Sequence, residues 1–267
     1  MMKLGTSTYA FFWHLSEQNP IPSSLTELLK LTKKMGGEVF QICDYPQVEK
    51  MSEKELKQIV ELAKDLDIEL ELGTRGVAPE HLHNYLRIAQ ILNVKVLRTM
   101  FHTADDKPTN EEIYKRLTTV MPEYENAQVK IAIETYEQVP TKEIVDIIKR
   151  INNPYLGVCL DPGNTVAALE HPNDVINQTA PYVKNLHVKD FTFSRKDGWV
   201  GFTLSGCPLG EGLLDLNYMI DALKKEKRDV NAIIELWLPF IENIEKTLKL
   251  EKEWIQTSIN YLRRTLQ

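Results

Sequence analysis

Four short aliphatic runs each end in residues able to hold a cation or move a proton: Lys130-Ile131-Ala132-Ile133-Glu134, Gly157-Val158-Cys159-Leu160-Asp161, Asn185-Leu186-His187-Val188-Lys189-Asp190 and Ile233-Ile234-Glu235-Leu236. Successive side chains of a strand face opposite ways. Glu134 therefore lies opposite Ile131 and Ile133, Asp161 opposite Val158 and Leu160, and His187 and Lys189 opposite Leu186 and Val188. If these strands neighbour one another, three carboxylates and one imidazole meet. Carboxylates clustered away from water repel strongly, and a divalent cation relieves that repulsion. Oxygen-rich ligation with a single histidine favours Mn2+ or Mg2+, with Co2+ also suitable, over a thiolate or multi-histidine zinc site. Such an ion, chelated by a substrate carbonyl and hydroxyl, stabilises an enediolate while paired carboxylates remove and return a proton.

Elements that would bring these residues together alternate along the chain, with a strand and a helix in roughly every 30 residues. Strands are expected at 4–8, 38–44, 68–73, 94–100, 129–135, 156–161, 183–191 and 232–236. Helices are expected at 25–35, 52–66, 80–92, 110–125, 141–151, 215–225 and 244–262, and as two pieces, 165–170 and 173–179, broken at Pro172. Ser52 and Glu55 have capping-box spacing, and Gly36-Gly37 ends the helix before them. Eight strands and eight helical units predict an α/β fold, a (β/α)8 TIM barrel, with residues 1–267 as a single domain. The alternative, a doubly wound open sheet, lacks its glycine fingerprint after the first strand. In a barrel the four chemical residues fall at the C-terminal ends of strands five to eight, where such folds keep their active sites. Segment 192–212 has no clear periodicity; it is expected to be a functional loop that contributes to a homo-oligomer interface.

Composition narrows the function classes. The chain is 43% hydrophobic and 26% charged, ordinary for a globular protein, and its net charge of −6 argues against a nucleic-acid partner. Cys43, Cys159 and Cys207 are odd in number and form no CxxC, which reads as reduced thiols in a cytoplasmic protein. The N-terminus enters a strand without a signal-peptide pattern, and no apolar run suits a membrane span, so no membrane association is expected.

Substrate contacts are expected from several further residues. Arg75, in Gly73-Thr74-Arg75-Gly76, can meet a carboxylate or phosphate as a fork, with a pair to Glu71 or another acid as the structural alternative. Lys189 shares the face of His187, Asn164 follows Asp161, Trp13 follows the first strand and His102 is a candidate for the rim. Arg98, inside strand four, is read as the partner of a barrel acid.

The motifs Ile-Glu-Thr at Glu134, Cys-Leu-Asp at Asp161, His-Val-Lys-Asp at His187, Gly-Glu-Gly at Gly210 to Gly212 and Ile-Glu-Leu-Trp at Glu235 resemble, in that order, the xylose isomerase-like TIM-barrel superfamily. The resemblance spans essentially the whole chain and is closest to the sugar phosphate isomerase/epimerase branch. It implies that Glu134, Asp161, His187 and Glu235 hold one divalent ion and that Glu134 and Glu235 act as acid and base on either side of a small carbohydrate. The expected activity is therefore metal-dependent isomerisation or epimerisation of a keto-sugar or sugar acid. Two departures from the ketose 3-epimerases stand out. Asn164 replaces a histidine and Phe193 an arginine that touch substrate oxygens there. Asp-x-x-Asn with Gly-Thr-Arg-Gly looks more like a subgroup that includes 3-oxo-isoapionate decarboxylases, which makes a lyase on the same metal site the alternative. The abasic-site endonucleases of the superfamily need a histidine-rich multi-metal cluster that this chain does not supply.

Overall fold

The computed structural model describes residues 2–267; Met1, the first residue of the expected domain, lies outside them. Seven parallel strands follow in chain order: β1 (Leu4–Ser7), β2 (Val39–Ile42), β3 (Glu69–Gly73), β4 (Val96–Thr99), β5 (Lys130–Glu134), β6 (Leu156–Leu160) and β7 (Val183–Val188). A hairpin, β8 (Phe191–Arg195) with β9 (Phe202–Gly206), precedes the last barrel strand, β10 (Ala232–Ile234). The parallel strands close in the order β1-β10-β7-β6-β5-β4-β3-β2, which is the expected (β/α)8 barrel. Both faces of a parallel sheet must be covered, and the outward Ile131, Ile133, Val158, Leu186 and Val188 are buried in the layer shared with the helices.

The helices around the barrel are α1 (Phe12–Leu15), α2 (Leu25–Met35), α3 (Glu53–Asp65), α4 (Pro79–Ile91), α5 (Asn110–Asn126), α6 (Thr141–Ile151), α7 (Pro162–Thr165), α8 (Pro172–Thr179), α9 (Leu216–Lys225) and α10 (Ile244–Leu266). Reciprocal capping boxes start three of them, at Ser24/Glu27, Ser52/Glu55 and Thr109/Glu112, each satisfying free amide donors at a helix start. No helix among the described residues is long and apolar enough to cross a membrane.

Two expectations change in the fold. Segment 192–212 is not an irregular loop, because much of it is the antiparallel β8–β9 ladder running from Phe191↔Gly206 to Arg195↔Phe202. The expected seventh strand, 183–191, splits accordingly: β7 stops at Val188 and Phe191 opens the hairpin. Most residues of the hairpin are exposed or half-buried. It therefore lacks the apolar alternation by which strands are recognised.

Asp190 joins the hairpin to the barrel. Its buried carboxylate accepts backbone hydrogen bonds from Phe191, Gly210, Gly212 and Leu214 at 2.9–3.1 Å. This explains the Gly-Glu-Gly motif. Gly210 has φ +89, and a Cβ on Gly212 would lie 2.2 Å from Asp190 Oδ1. Asp190→Ala leaves these amides without their acceptor and is expected to destabilise the protein by about 3 kcal/mol or more, measured by urea unfolding; a loss below about 1 kcal/mol would contradict this role.

Candidate metal centre and substrate cleft

Each converging side chain has its own local support. Glu134 is the last residue of β5, and Asp161 directly follows β6. Thr135 ties those two strand ends together: its hydroxyl donates to the Asp161 carbonyl and accepts from the Asp161 amide, both at 2.9 Å. His187 lies within β7, where the β6–β7 register shifts at Val158/Cys159 and pairs Cys159 with Asn185. Glu235 directly follows β10, and the Ser7 hydroxyl at the end of β1 donates to its Oε1 at 3.0 Å.

The four side chains are buried, and their candidate ligand atoms lie within 4.8 Å of one another. His187 turns Nδ1 towards the acids, 3.2 Å from Glu134, 3.6 Å from Glu235 and 3.8 Å from Asp161. Two cations also touch the cluster. Lys189 Nζ stands 2.8 Å from Asp161 Oδ2 and 3.1 Å from Glu235 Oε2, with the Tyr9 and Trp237 rings 5.5 and 4.8 Å away. Arg98 pairs with Glu134 Oε2 through Nη2, while Nη1 binds Asp44 at 3.0 Å and the Thr74 carbonyl at 2.8 Å.

The electrostatics are uneven. Burial raises the Glu134 carboxyl, but Arg98, His187 and Lys189 more than reverse this and leave it lowered to about 2. For Asp161 burial prevails over the attraction of Lys189, with help from Glu134 repulsion, and its carboxyl is pushed up to about 6. Burial also raises Glu235, yet His187 and Lys189 bring it below the usual range. Burial would lower His187 and Lys189; the surrounding carboxylates instead raise both. Glu134 Oε2 and Asp161 Oδ2 each touch a cation, and no other described residue donates a hydrogen bond to either. Two such oxygens beside an imidazole nitrogen and a third carboxylate form a donor set that fits one divalent ion.

Over the cluster lies a cleft of about 220 Å³, walled by Glu134, Glu235, Arg98, Lys189, Tyr9 and Trp237 among others. It adjoins a larger cleft of about 500 Å³, with which it shares Tyr9, Asp44 and Arg75. Of the expected substrate residues, Arg75, Lys189 and Asn164 line the smaller cleft. Arg75 pairs with Asp44 rather than Glu71, using Nε at 3.0 Å and Nη2 at 2.7 Å. Asn164 donates to Glu134 Oε1 at 3.1 Å and so also orients that carboxylate. Trp13 and His102 are not brought to this cleft. Trp13 donates from Nε1 to the Leu238 carbonyl and packs on Phe240, whereas His102 packs edge-on against Tyr136, which separately lines the cleft. Phe193 is half exposed on the hairpin.

Sequence reasoning missed Asp44, which joins Arg75 to Arg98, and also Gln41. A polar side chain inside the otherwise apolar strand β2 was the available signal for Gln41.

Fold and cluster together define a (β/α)8 barrel with a buried carboxylate–histidine cluster, able to hold a metal ion, at the C-terminal ends of its strands. The sequence model of the xylose isomerase-like TIM barrel family matches residues 29–265, and the chain belongs to that family. It is 49% identical over 261 residues to a 3-oxo-isoapionate decarboxylase of Pectobacterium atrosepticum, covering 98% of this chain and 95% of that protein. Among solved structures it resembles a D-psicose 3-epimerase determined with D-fructose, with a TM-score of 0.76 at 14% identity and 99% of each chain covered. It also resembles a xylose isomerase-like TIM barrel protein of Mycobacterium smegmatis in complex with magnesium, with a TM-score of 0.71 at 13% identity and 97% of each chain covered.

Asp161→Asn removes the charge of the acid least satisfied by its neighbours. Isothermal titration with Mn2+ is expected to register a loss of affinity above about 100-fold, beyond the usual effect of altering an outer-shell residue. Unchanged affinity would remove Asp161 from the ligand set.

Proposed function

We propose that this chain is a divalent-metal-dependent decarboxylase of a 3-oxo sugar acid, with Glu134, Asp161, His187 and Glu235 as ligands and Mn2+ as the preferred ion. The observation that carries this reading is the cationic side of the cleft. Glu134, Asp161, Glu235 and Asp44 bring four negative charges, and Arg75, Arg98 and Lys189 return three positive ones within the same connected group. A divalent ion would leave that group with a net charge of +1, counting His187 as neutral, and Glu137, which lines the same cleft outside the group, offsets it. The preference for an anionic substrate over a neutral keto-sugar therefore rests on Arg75 at the rim, whose Nη1 lies outside the Asp44 pair. The 49% identity to a 3-oxo-isoapionate decarboxylase across nearly the full chain supports the same choice.

A bound divalent ion supplies Lewis-acid stabilisation for negative charge collecting on the substrate oxygens. The protein's own groups do the rest. Nη1 of Arg75, outside the Asp44 pair, meets the substrate's acid end at the rim. The bond from carbon to that carboxylate breaks, CO2 leaves, and the electron pair moves into the neighbouring keto group to give an enediolate. Lys189, kept charged by the carboxylates around it, stabilises the negative charge that develops beside Nζ, and a proton from solvent then adds to the carbon to complete the product. Tyr9 and Trp237 exclude water from the ammonium.

A second reading, isomerisation or epimerisation, is favoured by Glu134 and Glu235 themselves. They come from β5 and β10, with β6 and β7 between them in the barrel, so they can approach a sugar from two sides. Incubation with a 3-oxo sugar acid and Mn2+ is expected to release CO2, and EDTA to abolish that release. Lys189→Met is expected to lower kcat/KM by roughly 100-fold or more. Solvent deuterium entering a neutral keto-sugar, with no CO2 from the acid, would overturn the decarboxylase and favour the second reading.

A further inference from the structure

Below the cleft, a buried polar chain crosses the barrel and ends on His187. Glu71 of β3 accepts hydrogen bonds from Asn231 at 2.8 Å, Asn185 at 2.7 Å and Gln41 at 3.1 Å. The Gln41 amide nitrogen also donates to Asn185 Oδ1 at 2.9 Å, and Gln41 Oε1 faces His187 Nε2 at 2.8 Å. Gln41, Asn185 and His187 are fully buried, and Glu71 is 2% exposed. None of the chemistry described above uses Gln41, Asn185 or Glu71.

The direction of this chain is dictated at its carboxylate end. Burial raises the Glu71 carboxyl, and the hydrogen bonds from Asn231, Asn185 and Gln41 oppose that rise by favouring the ionised form; an ionised carboxylate accepts hydrogen bonds and donates none, so these amides present nitrogen to it. Asn185 then turns its oxygen towards Gln41, which likewise must present nitrogen. A flipped Gln41 would set its oxygen against both Glu71 Oε2 and Asn185 Oδ1, two repulsive contacts between buried groups. Gln41 Oε1 is thereby left facing the imidazole. A carbonyl oxygen accepts only, so His187 Nε2 must carry a hydrogen. The neutral ring then has its lone pair on Nδ1, the atom turned towards Glu134, Glu235 and Asp161.

We propose that Gln41, Asn185 and Glu71 are positioning residues that fix the tautomer and orientation of His187 and so present Nδ1 to the metal. Partners of this kind usually change metal affinity about 10–100-fold when removed. The inference rests on the metal site of the reading above and is independent of which reaction that site performs.

Protein labelled with 15N-histidine, loaded with Zn2+ as a diamagnetic probe, tests it directly by long-range 1H–15N correlation, with the His187 signals assigned by their loss in His187→Gln. The expected spectrum has hydrogen on Nε2 and a metal-shifted Nδ1; hydrogen on Nδ1 would overturn the proposal. Gln41→Met is expected to weaken Zn2+ and Mn2+ binding about 10–100-fold in isothermal titration, and undiminished affinity would deny Gln41 its role. Gln41→Glu places two carboxylates side by side and should bind poorly, with Glu71→Gln in the same chain restoring affinity by returning one acid and one amide to the pair. Should these variants not fold, the wild-type ring spectrum still decides. Failure of wild type to bind either ion would sink the metal site itself, and the ring nitrogens of the metal-free protein, taken where the imidazole is neutral, would still report the tautomer.

Discussion

Glu134, Asp161 and Glu235 put three acidic groups, all buried, around one point of the barrel. Like charges at that spacing cannot remain ionised away from water without positive charge beside them. Much of the surrounding structure answers that constraint. Arg98 approaches from β4 and Lys189 from beyond β7, while His187 turns a ring nitrogen inwards. The compensation is unequal, with Glu134 held strongly acidic and Asp161 left least satisfied. Two side-chain cations offset part of this charge, and a divalent ion among the three carboxylates would more than offset the remainder.

The barrel divides the work between its halves. β5, β6, β7 and β10 bring the converging acids and imidazole, each at or just past a strand's C-terminal end or, for His187, near it. β1 to β4 bring the groups that hold them: Ser7 against Glu235, Gln41 against His187, Glu71 behind Gln41, and Arg98 against Glu134. Closure of the sheet makes this possible, since Gln41 on β2 meets Asn185 on β7 through the interior rather than along an edge. A flat sheet with the same strands would separate those residues.

Much of this was legible in the chain. Regular alternation of strand and helix marked the barrel, and charged residues closing aliphatic runs marked the cluster, because burying one face of a strand forces a period of two on its residues. The hairpin escaped notice because its exposed positions impose no such period. Arg75 was visible as a forked cation, but its partner was not. Asp44 lies 31 positions earlier along the chain, and only the adjacency of β2 and β3 brings the two together. Trp13 showed its size but not its direction; its indole donates to the Leu238 carbonyl, and the side chain lines a neighbouring cleft that shares Tyr9 and Trp237 with the one over the acids.

Residue types, spacing and order alone determined the kind of fold and the identity of the four converging side chains, since both follow from local periodicity and from what a strand must bury. Tertiary structure alone decided which groups compensate those charges and which nitrogen of His187 faces them. Those outcomes depend on distances across a closed barrel, between residues as far apart as Gln41 and His187, and local sequence carries no record of such distances.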